Sequence, residues 1–412
     1  MVPKKMLIPI LFVVVSGSPL MGKDIACKQR RGQEVKNQKT QRKIDKQLGK
    51  SQNKHTMVIF IHGTILPILS FTDMVCGFNS YMCKDRQDGR GEYQCFLNDL
   101  RFKNLYQYQP IASLGLHKIS SKLCQNSGCW TSMVGAILYE KMCELLPDEA
   151  SNSFSFYAFG WEGRLSARRR GLWADVLYRE LVKKIREEKS KLKKNEALEV
   201  EILAHSHGGN VALNLAHSER KYKRNLVVDR LILLGTPVQS ETEYCIYSSM
   251  FKNIFNVYSN GDKIQVIDIF STQDSWSRRF FKTTSLFSNR MIQIEVRANK
   301  IKPLHNELWF FGGKKNWRYR KYFLLEPLPF FVFMPLVVNY FNHYVSGSHH
   351  VLLNLEKIGS SFTFSCAKKN TRPLDFKKSG FAVSLEDLMC DFSDGMLPDY
   401  VRLAFHFVGI GG

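Results

Sequence analysis

The chain has 412 residues, of which 44% are hydrophobic and 23% are charged, and its formal net charge is +22. This length allows one large core with an appendage, and this composition excludes collagen-like and wholly disordered chains. The charge either covers solvated helix faces or attracts an anionic membrane or a phosphate-bearing substrate, whereas nucleic acid is not expected because no recognition motif accompanies it.

The amino terminus has the pattern of an export signal. Two lysines precede the apolar run 6–15, and small residues follow over 16–22. This order predicts a secretory signal peptide over residues 1–22, with an uncleaved anchor as the alternative. Residues 23–55 are predicted to be a flexible basic linker, because eleven Lys or Arg and three Asp or Glu lie between Lys23 and Lys54.

A first buried strand and a cysteine-rich insertion follow. Residues 56–61 are all β-branched, aromatic or apolar, and this run predicts a strand buried on both faces. The strand ends in His62-Gly63-Thr64. Residues 65–132 are predicted to form an insertion at the carboxyl end of the sheet. The sequence has no Cys-x-x-Cys pair, so a zinc site is not expected. In an exported chain we expect disulfides among the clustered cysteines, whereas in a cytosolic chain these cysteines would remain thiols. The cluster comprises Cys76, Cys83, Cys95, Cys124, Cys129 and Cys143.

A strand over 154–159 and a helical stretch over 164–194 precede the most informative segment. There, the alternating run 198–203 leads through Ala204-His205-Ser206-His207-Gly208 directly into a helix. This spacing predicts that Ser206 lies on a tight strand-to-helix turn between small residues, with its hydroxyl at the carboxyl end of a strand. The N–H of His207, at the helix start, can then point at an oxyanion. The alternative is an ordinary buried strand before a glycine-started helix.

This segment resembles the nucleophile elbow of the α/β-hydrolase family, with Ala204 where the family pattern has glycine. Further strands are predicted over 226–234, 254–259 and 291–296, the first closed by Gly235-Thr236-Pro237. Strands that alternate with helices predict a mostly parallel central sheet with helices on both faces. The predicted fold class is therefore α/β, and the resemblance implies an α/β-hydrolase domain over residues 56–309.

The resemblance implies a catalytic triad in the chain order serine, acid, histidine. The acid is expected just past the second strand after the elbow, where Asp262 follows the strand at 254–259 and Asp268 is the alternative. Asn260-Gly261-Asp262 could also be only a solvated turn. The resemblance further implies that the loop after the first strand gives a second oxyanion donor, the N–H of Thr64 or Ile65.

The base is expected on a loop past the next strand, and His305 fits by position. His343, His349 and His350 are alternatives that fall in a predicted C-terminal extension, residues 310–412. His205 and His207 are excluded as the base because neighbours of the elbow serine point away from its hydroxyl; we expect them to pack against the sheet or line the pocket.

The extension contains an apolar stretch from Tyr322 to Phe341. Glu326 and three prolines argue against a transmembrane helix there. It is predicted to be a buried segment or, alternatively, an apolar lid or membrane-touching surface over the site.

These observations predict a secreted serine hydrolase that cleaves carboxylic esters, of lipid type, and that needs no cofactor or metal. Ser206, Asp262 and His305 would be its triad, and His207 and Thr64 its oxyanion donors. The expected partners are an ester or lipid substrate and an anionic membrane surface. Two alternatives stay open: amide cleavage or acyl transfer at the same triad, and a non-catalytic binding protein on the same fold.

Overall fold

The computed structural model describes residues 54–64, 109–120, 130–146, 149, 152–266, 276–282, 290–311, 324–325, 328–344, 350–358, 361–368 and 377–384. All of them fall in a unit that begins at Asn53. The predicted signal peptide and nearly all of the predicted linker lie outside these residues, as does most of the predicted insertion.

Ten strands of the described residues form one sheet, in the order β10-β9-β8-β7-β6-β5-β4-β1-β3-β2. Neighbouring strands from β3 through β8 in this order are parallel, whereas β2, β9 and β10 pair antiparallel at the two edges. The prediction of a mostly parallel sheet is confirmed. The strands are β1 (Lys54–Ile61), β2 (Gly115–Lys118), β3 (Ser153–Gly160), β4 (Ala197–His205), β5 (Val228–Leu234), β6 (Phe251–Tyr258), β7 (Met291–Ala298), β8 (His350–Ile358), β9 (Ser361–Lys368) and β10 (Lys377–Ser384).

Helices cover both faces of this sheet, as the α/β-hydrolase fold requires. They are α1 (Trp130–Glu144), α2 (Ala167–Lys189), α3 (His207–Tyr222), the short α4 (Ser240–Glu243) and α5 (Met334–Tyr344). Short 3-10 turns span Tyr244–Tyr247, His305–Leu308 and Phe330–Phe333.

The fully buried strand β1 shows why helices are needed on both sides. Val58 and Phe60 belong to the core cluster that contains residues of α1 and α5, whereas Met57 and Ile59 belong to the cluster that contains residues of α2 and α3. Side chains alternate across a strand, so a run of apolar residues has to be covered on each face.

The segment predicted to be an insertion contributes part of the sheet. Its described residues include β2, which pairs with β3 from Gly115↔Gly160 to Lys118↔Tyr157. The expectation of disulfides fails for Cys143, which is a buried free thiol on α1. The sequence did not predict β2, because this edge strand has only four residues and the residues around it have the composition of a loop.

Outside that cluster of six cysteines, Cys245 and Cys366 are also buried free thiols. Burial raises the pKa of each to about 12, so both are inert at neutral pH. The other cysteines of the predicted disulfide cluster lie outside the described residues.

Residues beyond 310 continue the same structure. The turn Phe330–Phe333 and the apolar start of α5 are buried in the core cluster that contains α1. Of the two alternatives for the apolar stretch, this agrees with a buried segment and not with an apolar lid. Strands β8 to β10 then extend the sheet beyond β7. In the part of the chain that the structure describes, no helix combines the length and the apolar character needed to cross a membrane.

Candidate active site

Ser206 lies on a strained turn between β4 and α3. Its backbone has φ 51° and ψ −131°, and its N–H donates to the carbonyl of Leu234 at 2.9 Å. A non-glycine residue at positive φ costs free energy and is found where function requires a particular geometry. The Ser206 side chain is therefore held at the carboxyl end of the sheet, in the position that the sequence predicted.

The two glycines after this serine are required because neighbouring segments leave no space for a side chain. A Cβ added to Gly208 would lie 2.3 Å from the carbonyl oxygen of His62, and one added to Gly209 would lie 2.0 Å from Oγ1 of Thr236. Ala204 is fully buried in the elbow, so its methyl group fits where the family pattern has glycine. The departure from the pattern leaves the turn intact.

Asp262 and His305 form a direct hydrogen bond. Nδ1 of His305 lies 2.6 Å from Oδ2 of Asp262, and the aspartate is fully buried. The other carboxylate oxygen accepts the N–H of Gln265 at 3.0 Å, while the backbone carbonyl of Asp262 accepts two bonds from Arg279. With Nδ1–H donating to the carboxylate, Nε2 of the neutral imidazole is left as an acceptor, which is the tautomer of a general base.

The sheet brings this pair to the edge that carries the serine. Strands β4 to β7 are parallel neighbours, so Ser206, Asp262 and His305, which follow β4, β6 and β7, all lie at their carboxyl ends. Gly235, at the end of β5 and with φ 59°, leaves space for the pair: an added Cβ would lie 3.2 Å from both Asp262 Oδ2 and His305 Nδ1. The three predicted triad residues therefore share one region of the sheet.

His205 connects the elbow to the histidine loop. Its ring centroid lies 4.6 Å from that of His305, its Nε2 donates to the carbonyl of His305 at 3.2 Å, and its ring stacks on Trp309. Burial, reinforced by the nearby His305, lowers the pKa of His205 well below the usual value. A buried, neutral His205 packs as the sequence predicted and, as the residue that precedes Ser206, bonds the backbone of His305.

The segment 62–64, the oxyanion loop, lies against the serine. A Cβ on Gly63 would lie 2.8 Å from Cβ of Ser206. His62 fixes this loop: its Nδ1 donates to the carbonyl of Gly63 at 2.7 Å and its Nε2 accepts the N–H of Trp161 at 3.2 Å. The indole N–H of Trp161 in turn donates to the carbonyl of His62 at 2.8 Å. Thr64 follows Gly63 directly, and His207 follows Ser206 as the first residue of α3.

Glu307 is a buried carboxylate that sequence reasoning missed. It accepts the N–H of Leu304 at 2.7 Å and that of Leu324 at 2.5 Å, which ties the turn of His305 to a segment further along the chain. Burial raises its pKa to about 7. A glutamate three residues after the residue that precedes a 3-10 turn is a recognisable capping signal, but the second partner of Glu307 is not local in sequence.

His350, one of the alternative bases, is not brought to this edge. His350 is the first residue of β8, which is parallel to β7, so it lies at the amino end of the strands, 3.0 Å from Nε2 of Gln293. His343 lies on α5, and Asp268, Ile65 and His349 lie outside the described residues. Among the residues described, no group of three or more His, Cys, Asp and Glu side chains has the arrangement of a metal site.

Comparison with known proteins agrees with this fold. Residues 120–275 match the family model of the PGAP1-like alpha/beta domain, a range that includes Ser206 and Asp262. Among solved structures, a protein assigned as a cell surface hydrolase of Lactobacillus plantarum WCFS1 aligns over 75% of this chain and 83% of its own, at 10% identity and a TM-score of 0.19, which is too low to support an argument. No curated protein matches the chain. The chain contains a hydrolase-like α/β domain and has the α/β-hydrolase fold.

Proposed function

We propose that this α/β-hydrolase is a serine hydrolase that cleaves carboxylic esters with Ser206, His305 and Asp262. The observation that carries the proposal is the 2.6 Å hydrogen bond between His305 and the buried Asp262, at the sheet edge where Ser206 has a strained backbone. A carboxylate that orients an imidazole next to an elbow serine is the arrangement that activates a hydroxyl for acyl transfer.

The chemistry follows from these positions. Oγ of Ser206 attacks the ester carbonyl carbon while Nε2 of His305 takes the hydroxyl proton, and Asp262 stabilises the imidazolium that forms. The carbonyl oxygen becomes an oxyanion that accepts the backbone N–H groups of His207 and Thr64. Collapse of this intermediate breaks the ester C–O bond, and His305 returns its proton to the leaving alcohol. Water then attacks the acyl-serine by the same steps and releases the acid.

The residues after the base favour a substrate with an apolar acyl chain. Trp309 is fully buried against His205, and Phe310, which is only partly buried, contacts the same ring edge-on with a centroid distance of 6.0 Å. The accessible part of Phe310 favours acyl chains, because each methylene that it helps to bury contributes about 0.8 kcal/mol. We therefore propose a lipid-type ester as the substrate class.

A series of p-nitrophenyl esters tests both parts of this proposal. We expect the purified protein to hydrolyse them with a kcat/KM that rises from the acetate to the octanoate. Ser206→Ala should lose turnover to the background rate, whereas Ser240→Ala, an exposed serine on α4, should keep wild-type rates. Turnover that survives in Ser206→Ala would contradict the mechanism, and a flat response to chain length would contradict the lipid-type substrate.

A further inference from the structure

A groove of about 360 Å³ lies at the amino end of the parallel strands, opposite to the edge that carries Ser206. Its walls are the last two turns of α2, the loop between α3 and β5, and the first residues of β4, β5 and β6. Leu198 lies in this groove, and its distance from Ser206 along β4 is roughly 25 Å at the usual rise of a strand. The groove is therefore separate from the candidate active site.

Cations dominate the polar part of the groove. Asp229 is the one carboxylate among the lining residues that the structure describes, and it bonds Nζ of Lys252 at 2.6 Å and the N–H of Val200 at 2.8 Å. Within the described ranges, the other lining cations have no carboxylate at ion-pair distance, so the lining keeps a positive excess. The four cations are all exposed at the rim: Arg186, Lys189, Arg224 and Lys252.

The rest of the lining is apolar and partly open to water. Val182, Ile185 and Leu198 are only partly buried although they pack against the core, and Val227 is 39% exposed. Val182, Ile185, Arg186 and Lys189 follow one face of α2, so two apolar side chains are followed by two cations along a single wall. An apolar strip beside unpaired cations matches a ligand that carries both kinds of group.

We propose that this groove binds an amphiphilic anion, a phosphate monoester attached to a short apolar body. Arginine and lysine are the side chains that proteins use for phosphate, and Arg186 and Arg224 are placed to contact its oxygens from two walls. Inorganic phosphate would leave the apolar strip in water, and a neutral amphiphile would leave the cations without a partner. The volume lies within the range of small-molecule sites.

Binding of monomeric n-octyl phosphate, measured by titration calorimetry on the full chain, tests the proposal. We expect it to bind at least tenfold more tightly than inorganic phosphate or octyl glucoside. Arg186→Gln with Lys189→Gln should weaken it tenfold or more. Arg179→Gln with Lys183→Gln is the matched control, since it removes one arginine and one lysine from the same helix outside the groove, and should change binding less than twofold.

Two further variants separate this site from other causes of binding. Val227→Ser should weaken octyl phosphate without affecting inorganic phosphate, and Ser206→Ala should bind octyl phosphate as the wild type does. The proposal would be overturned if Arg186→Gln with Lys189→Gln and Arg179→Gln with Lys183→Gln weakened octyl phosphate binding equally, or if Ser206→Ala lost this binding.

Vesicles that contain phosphatidic acid distinguish the source of the anion. If Arg186→Gln with Lys189→Gln lowers vesicle binding as well as octyl phosphate binding, the head group comes from a bilayer. If it lowers only the latter, the ligand is a free phosphate monoester. Either result supports the site, whereas octyl phosphate that binds no more tightly than inorganic phosphate would exclude it.

Discussion

At the scale of single residues, the histidines at the carboxyl edge of the sheet have different partners and therefore different roles. His305 donates to Asp262, His205 donates to the carbonyl of His305, and His62 bonds the oxyanion loop. His350 lies at the opposite end of the strands. Among these four side chains, only His305 combines a carboxylate partner with a position at the carboxyl edge of the sheet.

Replacement of the base should therefore separate His305 from its competitors. We expect His305→Ala to lower turnover of p-nitrophenyl acetate by roughly three or more orders of magnitude, as loss of a triad base does. His349→Ala and His350→Ala should stay within about tenfold of the wild type. If His349→Ala or His350→Ala loses turnover while His305→Ala keeps it, the base has been assigned wrongly.

Glu307 gives the fold a predictable dependence on pH. Its pKa in the folded state is raised to about 7 by burial, so the folded chain holds this proton more tightly than the unfolded chain. The stability from this group is complete below about pH 4.5 and is lost as the pH rises through about 7. We expect the wild-type free energy of unfolding to fall by on the order of 2–3 kcal/mol from pH 5 to pH 8 through this group.

Urea denaturation at the two pH values measures this effect. Glu307→Gln should remove most of that pH-dependent difference. The same pH dependence in Glu307→Gln and the wild type would mean that another group is responsible.

At the scale of elements, the elbow depends on the close approach of α3 to β1. Gly208→Ala would place Cβ 2.3 Å from a backbone carbonyl that cannot move without β1. We expect it to destabilise the protein by about 3 kcal/mol or more. Gly171→Ala is the control: it lies inside α2, an added Cβ meets nothing within 4 Å, and the change should stabilise by about 0.5–1 kcal/mol. Equal stabilities of the two variants, measured in urea, would contradict this description of the elbow.

Local patterns explain how much of these elements could be predicted. The apolar runs of β1 and of β4 to β7, and the small residues around Ser206, are continuous in sequence, and each strand was located within a few residues. The pairing of Asp262 with His305 was implied by the resemblance to the α/β-hydrolase family, which gives the chain order of acid and base. The clamp of Trp161 on His62 joins residues about a hundred positions apart and has no local pattern. The edge strand β2 and the second partner of Glu307 were missed for the same reason.

At the scale of the whole molecule, the sheet is completed by its C-terminal strands. Val351 and Leu353 of β8 and Phe362 and Phe364 of β9 are buried in the same core cluster as Phe333. A chain that ends at residue 345 would expose this surface and the edge of β7, so we expect it to aggregate. A chain that begins at Asn53, where the described unit starts, should keep its melting temperature within a few degrees. A soluble, cooperatively melting chain without β8 to β10 would contradict this view of the core.

The distribution of charge bears on the expected membrane partner. Of the run at 168–170, Arg169 bonds Glu162 and Arg170 is buried against Gln239, so two of three cations are structural. The exposed cations of α2 between Lys183 and Lys189 lie toward the amino end of the strands, away from Ser206. We therefore propose that an anionic surface would meet the groove end of the molecule, away from the edge proposed to bind the ester substrate.

The most direct test of the central claim is labelling by a fluorophosphonate probe, which reacts with an activated serine. We predict that the folded wild-type protein is labelled, that mass mapping places the adduct on Ser206, and that Ser206→Ala is not labelled. His305→Ala should label far more slowly, because the hydroxyl then has no base. A folded wild-type protein that takes up no probe, or an adduct on another serine, would contradict the serine-hydrolase mechanism and favour a binding protein on the same fold.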